Sequence, residues 1–232
     1  MNIIAFRSLQ DFWNKQSDGR LGPGGETGGN YRMEAKELAM FLEPSKKYTC
    51  LELGCGNGEL YNEMQQFYGS YMGVDFSATY LKKFSVIHPA AHLMCRDVLT
   101  FESDQSFDLI HSTQLVQYLT VTQIEPIQKK LLAMCTTEGV IIHRGFLDRR
   151  LLSLYFKGYL YPGIHRLKLQ RLLHPLAYRV LELFNRLTGT YNHLGYWHTR
   201  DEILDIHRRL GVEAEIFNSP LHPNRFNIVI HP

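Results

Sequence analysis

Tyr48-Thr-Cys-Leu-Glu-Leu-Gly-Cys-Gly-Asn-Gly-Glu-Leu60 is the stretch on which the reading of the fold turns. Apolar and β-favouring residues at 48–53, with lysines before and glycine after, predict a short buried strand. Gly54, Gly56 and Gly58 predict a tight turn, and residues 59–67 carry helix formers. A glycine turn between strand and helix lets a ligand lie against bare backbone, because no Cβ blocks the approach. It also brings that ligand to a helix N-terminus, where N–H groups lack intrahelical partners.

The spacing narrows the ligand. A dinucleotide loop reads G-x-G-x-x-G. Here the pattern is Glu52-x-Gly54-x-Gly56-x-Gly58, one residue shorter, with a carboxylate two positions before the first glycine. This disfavours an NAD-dependent oxidoreductase. Residues 71–75 predict a second strand ending in Asp75, an acid placed to accept hydrogen bonds from both hydroxyls of a ribose. Ser77 is a candidate N-cap for a helix over 78–86. Residues 91–95 predict a third strand, closed by Arg96-Asp97-Val98. Phe107-Asp-Leu-Ile-His-Ser112 predicts a fourth, and Gln114-Leu-Val-Gln-Tyr118 a short helix after it.

In this order and at these intervals, the four segments resemble the motifs of the class I S-adenosylmethionine (SAM) methyltransferases, across about residues 30–145. The resemblance implies a seven-stranded, mostly parallel Rossmann-like α/β sheet with helices on both faces. It implies SAM as cofactor and S-adenosyl-L-homocysteine (SAH) as product. Glu52, Gly54, Cys55 and Gly56 would surround the cationic end of SAM, and Asp75 and Phe76 would meet the ribose. Asp97 would receive the adenine amino group, and the Val98 N–H a ring nitrogen. Tyr31, Arg32, Ser112 and Gln117 complete the expected cofactor contacts, Arg32 as partner of the SAM carboxylate or else as an ordinary solvated arginine. Many family members carry a His or an acid where Gln117 stands. Gln cannot take a proton, which makes that helix a poor place for a base.

Working outward, residues 18–29 hold six glycines and a proline, too many for helix or strand. With the rest of 1–30 they form either a lid over the cofactor, as the family often has, or a plain linker. Residues 31–43 regain helical spacing until Pro44. The SAM-binding core is expected over 31–145, with a helix at 122–135 and a fifth strand at 138–144. Thr199-Arg-Asp-Glu202 is a capping box that opens a helix to Leu210. With strands at 212–217 and 225–230, one of them antiparallel, it completes the core over 199–232.

Between these parts lies an insertion, 146–198, whose leucines between 169 and 187 follow i, i+3, i+4, i+7 spacing. Residues 144–200 hold ten Arg or Lys against Asp148 and Glu182, a net of +8 that leaves −6 on the rest of a chain of net +2. The insertion is expected to overhang the ligand-binding edge of the sheet as an acceptor lid, with its charges either reading an anionic acceptor or simply solvated. No apolar run approaches the ~20 residues of a membrane span. The four cysteines form no C-x-x-C pair, and thiols on core strands suit a reducing cytoplasm, so neither metal nor disulfide is expected.

Methyl transfer to a hydroxyl benefits from a general base. His143 at the tip of the fifth strand is the first candidate and His193 the second. Arg144 would hold an anionic acceptor group or else pair with Asp148. No N-P-P-Y-like tetrapeptide follows the fourth strand, where Ser112-Thr-Gln-Leu stands, which argues against methylation of a nucleobase or glutamine amide. The expected function is therefore O-methylation of a small or carrier-linked anionic acceptor: an acidic sugar, a nucleotide sugar or a lipid-linked glycan. The alternatives are methylation of a hydrophobic precursor at an anionic membrane surface, reached through the basic insertion, and a non-catalytic SAM-binding protein. No nucleic-acid partner is expected.

Overall fold

The computed structural model describes residues 13, 31–156, 160, 180, 183 and 195–232. The glycine-rich segment, the stretch with helical spacing between 169 and 187 except residues 180 and 183, and His193 lie outside the described residues.

Helix α1 (Tyr31–Ala39) leads into strand β1 (Tyr48–Leu53), helix α2 (Glu59–Met64) and strand β2 (Tyr68–Asp75). Helix α3 (Ala78–Ile87), strand β3 (His92–Cys95) and strand β4 (Phe107–Thr113) follow. Then come helix α4 (Val121–Met134), strand β5 (Cys135–Asp148), the short helix α5 (Leu152–Phe156) and the two-residue strand β6 (Trp197–His198). Helix α6 (Arg200–Arg209) and strands β7 (Glu213–Asn218) and β8 (Arg225–His231) end the chain. The main strand order is β3-β2-β1-β4-β5-β8-β7, with β6 beside β5 as an eighth strand. All pairings are parallel except those of β8, which runs antiparallel to both β5 and β7. The order reverses between β1 and β4, so a crevice opens at their C-terminal ends.

Side chains alternate across each strand, which gives the sheet two packed faces. Leu51, Leu53, Ile110 and Ile141 face α4 and α6 through Ile124, Ile127, Leu131, Ile203 and Ile206. Cys50, Leu109 and Ile142 face α1 and α2 through Ala35, Leu38, Leu60 and Met64. Proper caps hold the helices that flank the crevice. Thr199 and Glu202 form the expected capping box on α6, Thr120 and Gln123 form another on α4, and the Ser77 side chain accepts from Tyr80 N at the start of α3.

Several boundaries differ from the sequence reading, three of them with a clear physical cause. Helix α1 stops at Ala39 instead of running to 43. Phe41 N and Leu42 N donate to Leu38 and Ala39, a tightening into i→i+3 turns ahead of Pro44. Strand β2 starts at Tyr68, because Tyr68 pairs with Tyr48 across a register irregularity. Strand β5 continues to Asp148, past the expected end at Arg144, since β8 and then β6 supply partners for Phe146, Leu147 and Asp148. The insertion thus leaves the sheet after Asp148.

Candidate active site

The glycine turn is held open by β2. Gly54 N and Cys55 N both donate to Val74 O, at 2.7 and 3.2 Å. Gly56 N donates to Asp75 Oδ2 at 3.0 Å, while Ser77 N donates to Asp75 Oδ1 at 2.8 Å. Asp75 therefore fixes both the turn and the start of α3, and each of its oxygens keeps a second lone pair for a ligand. Gly54, Gly56 and Gly58 have φ of +71°, +55° and +82°, which only glycine adopts without strain. A Cβ on Gly56 would meet nothing within 4 Å, whereas one on Gly58 would strike the Phe84 ring at 2.6 Å. The second glycine leaves room for a ligand and the third leaves room for the core.

Above this turn lies a cavity enclosing about 960 Å³ of empty space, its open mouth included. Its floor is Glu52, Gly54, Cys55, Gly56 and Asp75, and Phe76, Thr113, Gln114, Leu115 and Gln117 extend the wall. Trp13, Tyr31, Tyr80 and Tyr118 give it an aromatic side. Trp13 meets Tyr118 edge-on at 5.7 Å between ring centroids and lies 6.3 Å from Tyr80. Burial pushes the Glu52 carboxyl up to about 7, with the Asp75 charge adding to the rise and a 2.6 Å hydrogen bond from Tyr71 Oη opposing it. Burial also raises Asp75, against the N–H groups of Ser77, Gly56 and Phe76. Two desolvated carboxyls beside bare backbone suit a ligand bearing a cation and vicinal hydroxyls. SAM has both, in its ammonium and sulfonium groups and its ribose. The empty space over Gly56 is what such a ligand requires, so the residues present fit the cofactor.

Of the residues expected at the cofactor, Tyr31, Glu52, Gly54, Cys55, Gly56, Asp75, Phe76 and Gln117 line the cavity. The other four do not. Arg32 is exposed on α1. Asp97 turns back on its own loop, its Oδ1 accepting from Leu99 N at 2.9 Å, and Val98 packs on the core. Ser112 is buried, sharing a 2.8 Å hydrogen bond with His143 Nδ1.

His143 is not placed to act as a base on a ligand in this cavity. Strand alternation turns it to the α4 face, where its Nε2 lies 2.9 Å from Gln128 Oε1. Burial, with the His207 charge adding, pushes its pKa down to about 3. His111 is likewise buried, 3.0 Å from Tyr68 Oη, and burial drives it down to about 3. Arg144 is buried too, and pairs with Glu34 and Glu37 of α1 instead of Asp148 or an acceptor. Asp148 binds Arg150 and Arg200.

Sequence reasoning missed Trp13, Tyr80 and Tyr118 as cavity walls. Tyr80 had a signal, because the third residue after an N-cap at a strand tip points back toward that tip. It also missed a polar cluster behind Thr113 and Gln114. There Glu34 accepts from Arg144, Gln114 and His222, and Glu37 accepts from Arg144 and Asn227. Burial alone would raise the Glu34 carboxyl, but the His222 hydrogen bond and the Arg144 charge outweigh it and hold the group down at about 2. Gln114 has φ +58°, and Gly145, with φ +95°, lets the two backbones approach.

Comparison with known proteins adds to this geometry. Residues 50–139 match a family described as a methyltransferase domain. Phosphoethanolamine N-methyltransferase 3 of Arabidopsis thaliana is 32% identical over 117 residues, which are 48% of this chain and 24% of the relative. The match thus spans about a quarter of that relative's length. Two solved structures with bound SAM share the fold. One is an amino pentose methyltransferase from Micromonospora echinaspora (TM-score 0.62, 13% identity, 88% of this chain and 93% of that one). The other is magnesium protoporphyrin IX methyltransferase from Synechocystis (TM-score 0.61, 12% identity, 97% and 95%). With its strand order and glycine turn, the chain has the Rossmann-like fold of these SAM-binding methyltransferases, and residues 50–139 match the methyltransferase-domain family.

Proposed function

We propose that the chain transfers the methyl group of SAM to a small or carrier-linked acceptor bearing an anionic group. The observation that carries this reading is the cavity itself. Its Glu52–Asp75 floor fits the cofactor, and the same space continues past Gln114 and Tyr118 toward an aromatic side that the cofactor floor does not use. SAM supplies a methyl on a positively charged sulfur, already joined to a good leaving group. The protein's part is then to orient the acceptor and exclude water.

Oxygen is the methylated atom in the reading we favour, with His193 as the candidate base. Nitrogen is the second reading. The aromatic groups Trp13, Tyr80 and Tyr118 suit an ammonium group through cation–π attraction. The curated relative is named an N-methyltransferase, which points the same way.

The test is SAH release from SAM in the presence of acidic sugars, nucleotide sugars and phosphoethanolamine, with mass spectrometry of the products. Methylation of an acidic hydroxyl compound, reduced by His193→Ala, supports the first reading. Methylation of phosphoethanolamine alone supports the second. Tight SAM binding without turnover on any acceptor would favour a binding protein.

A further inference from the structure

We propose that Arg225 is the anchor for the acceptor's anionic group, a carboxylate or phosphate, in the polar cleft behind Gln114; this rests on the acceptor reading given above. Arg225 opens β8 and is only 6% exposed. Its Nε and Nη1 are buried with no hydrogen-bond partner. A buried guanidinium normally has its donors met, because unmet ones forfeit their hydration. The neighbouring acids do not meet them in the structure. Glu34 and Glu37 are turned instead to Arg144, Gln114, His222 and Asn227. Arg144 and the two glutamates balance much of the local charge among themselves, and Arg225 stands beside them with donors to spare.

The cleft around Arg225 is bounded by Thr113, Gln114, Ser219 and His222 and, with Gln114 in place, leaves no room for even a water-sized molecule. Thr113 and Gln114 line both this cleft and the cofactor cavity, which places them between the two spaces. The Arg225 charge acts on both sides of them, favouring ionisation of Glu34 in the cleft and of Tyr118 in the cavity. The partition is easily moved. Gln114 is a long side chain on a strained backbone, held to Glu34 by one 3.2 Å hydrogen bond. Turning it aside joins cleft to cavity and brings an acceptor oxyanion to a guanidinium whose planar fork matches it. The anion then fills the missing hydrogen bonds while the rest of the acceptor lies in the cavity.

The experiment is titration of the SAH-loaded protein with inorganic phosphate and with acetate at constant ionic strength, followed by melting temperature and calorimetry. Wild type should show saturable stabilisation by at least one of the two. Arg225→Met should weaken that binding at least tenfold, keep SAH affinity within twofold, and melt no lower than wild type without anion, since it removes unmet donors. Arg208→Met, an exposed arginine on α6, should leave the anion response intact. If Arg225→Met fails to fold, Arg225→Lys keeps the charge without the fork and should weaken anion binding at least fivefold. An unchanged anion constant in the Arg225 variants overturns the proposal. So does the absence of any saturable anion effect in wild type, or a lowered melting temperature with an intact anion response, which marks Arg225 as structural. Loss of SAH binding in wild type would instead strike the cofactor reading, and the two failures are read separately.

Discussion

Gly56 and Gly58 should respond differently to the same added methyl. Gly56 and Gly58 both have positive φ, so alanine at either costs about 1–2 kcal/mol of backbone strain. At Gly56 the new Cβ meets nothing within 4 Å and enters the ligand space. At Gly58 it lies 2.6–2.7 Å from three atoms of the Phe84 ring. Phe84 is fully buried and packed against Tyr61, Tyr71 and His88 at centroid distances of 5.3, 6.0 and 5.6 Å, so it has nowhere to yield. Overpacking adds roughly 1–3 kcal/mol there, for a total of about 2–5 kcal/mol. Urea denaturation should therefore rank Gly58→Ala well below Gly56→Ala, while SAH calorimetry should show Gly56→Ala folded and at least tenfold weaker in binding. Wild-type SAH affinity in Gly56→Ala would refute the placement of the ligand over that backbone. Equal stability of the two variants would refute the role given to Phe84.

Arg144→Met should cost about 3–5 kcal/mol in urea, because it strands two buried carboxylates, and a loss under about 1 kcal/mol would show that the cluster is not desolvated. His143 and His111 are held neutral in the fold at about 3 against an ordinary 6.5, so the unfolded chain binds more protons below pH 6.5; stability should fall as pH drops from 6.5 toward 3, by up to about 1.4 kcal/mol per pH unit for each, whereas a flat profile in His143→Gln minus wild type would contradict its burial. Glu52 titrates near 7 without ligand, and a cationic ligand favours its ionised form, so SAH binding should release protons at pH 6 and tighten up to about pH 8; calorimetry in buffers of different ionisation enthalpy checks this, and proton-neutral binding at pH 6 would place the ammonium elsewhere.

The cofactor floor was legible because its chemistry is local in sequence. Glu52, the three glycines and Asp75 lie within one strand–turn–helix–strand unit, and positive φ, a strand-tip acid and a helix cap each leave a mark on residue type. What lay between distant segments was not legible. Glu34 and Glu37 stand three apart on α1, a spacing that puts both on one helix face, yet nothing local names Arg144, over a hundred residues away, as their partner. His143 was misplaced for a related reason. Residues 140–144 belong to a central strand buried on both faces, so no alternation of polar and apolar residues shows which way the histidine turns. Asp97 has the expected residue type at the expected strand end, but its own loop captures the carboxylate.

The most direct test of the account is the position of SAH in a crystal of its complex with this protein. The account predicts SAH lying over Gly56, with its ribose hydroxyls on Asp75 and its ammonium toward Glu52. SAH held elsewhere, or a cavity that stays empty at saturating SAH, would contradict it.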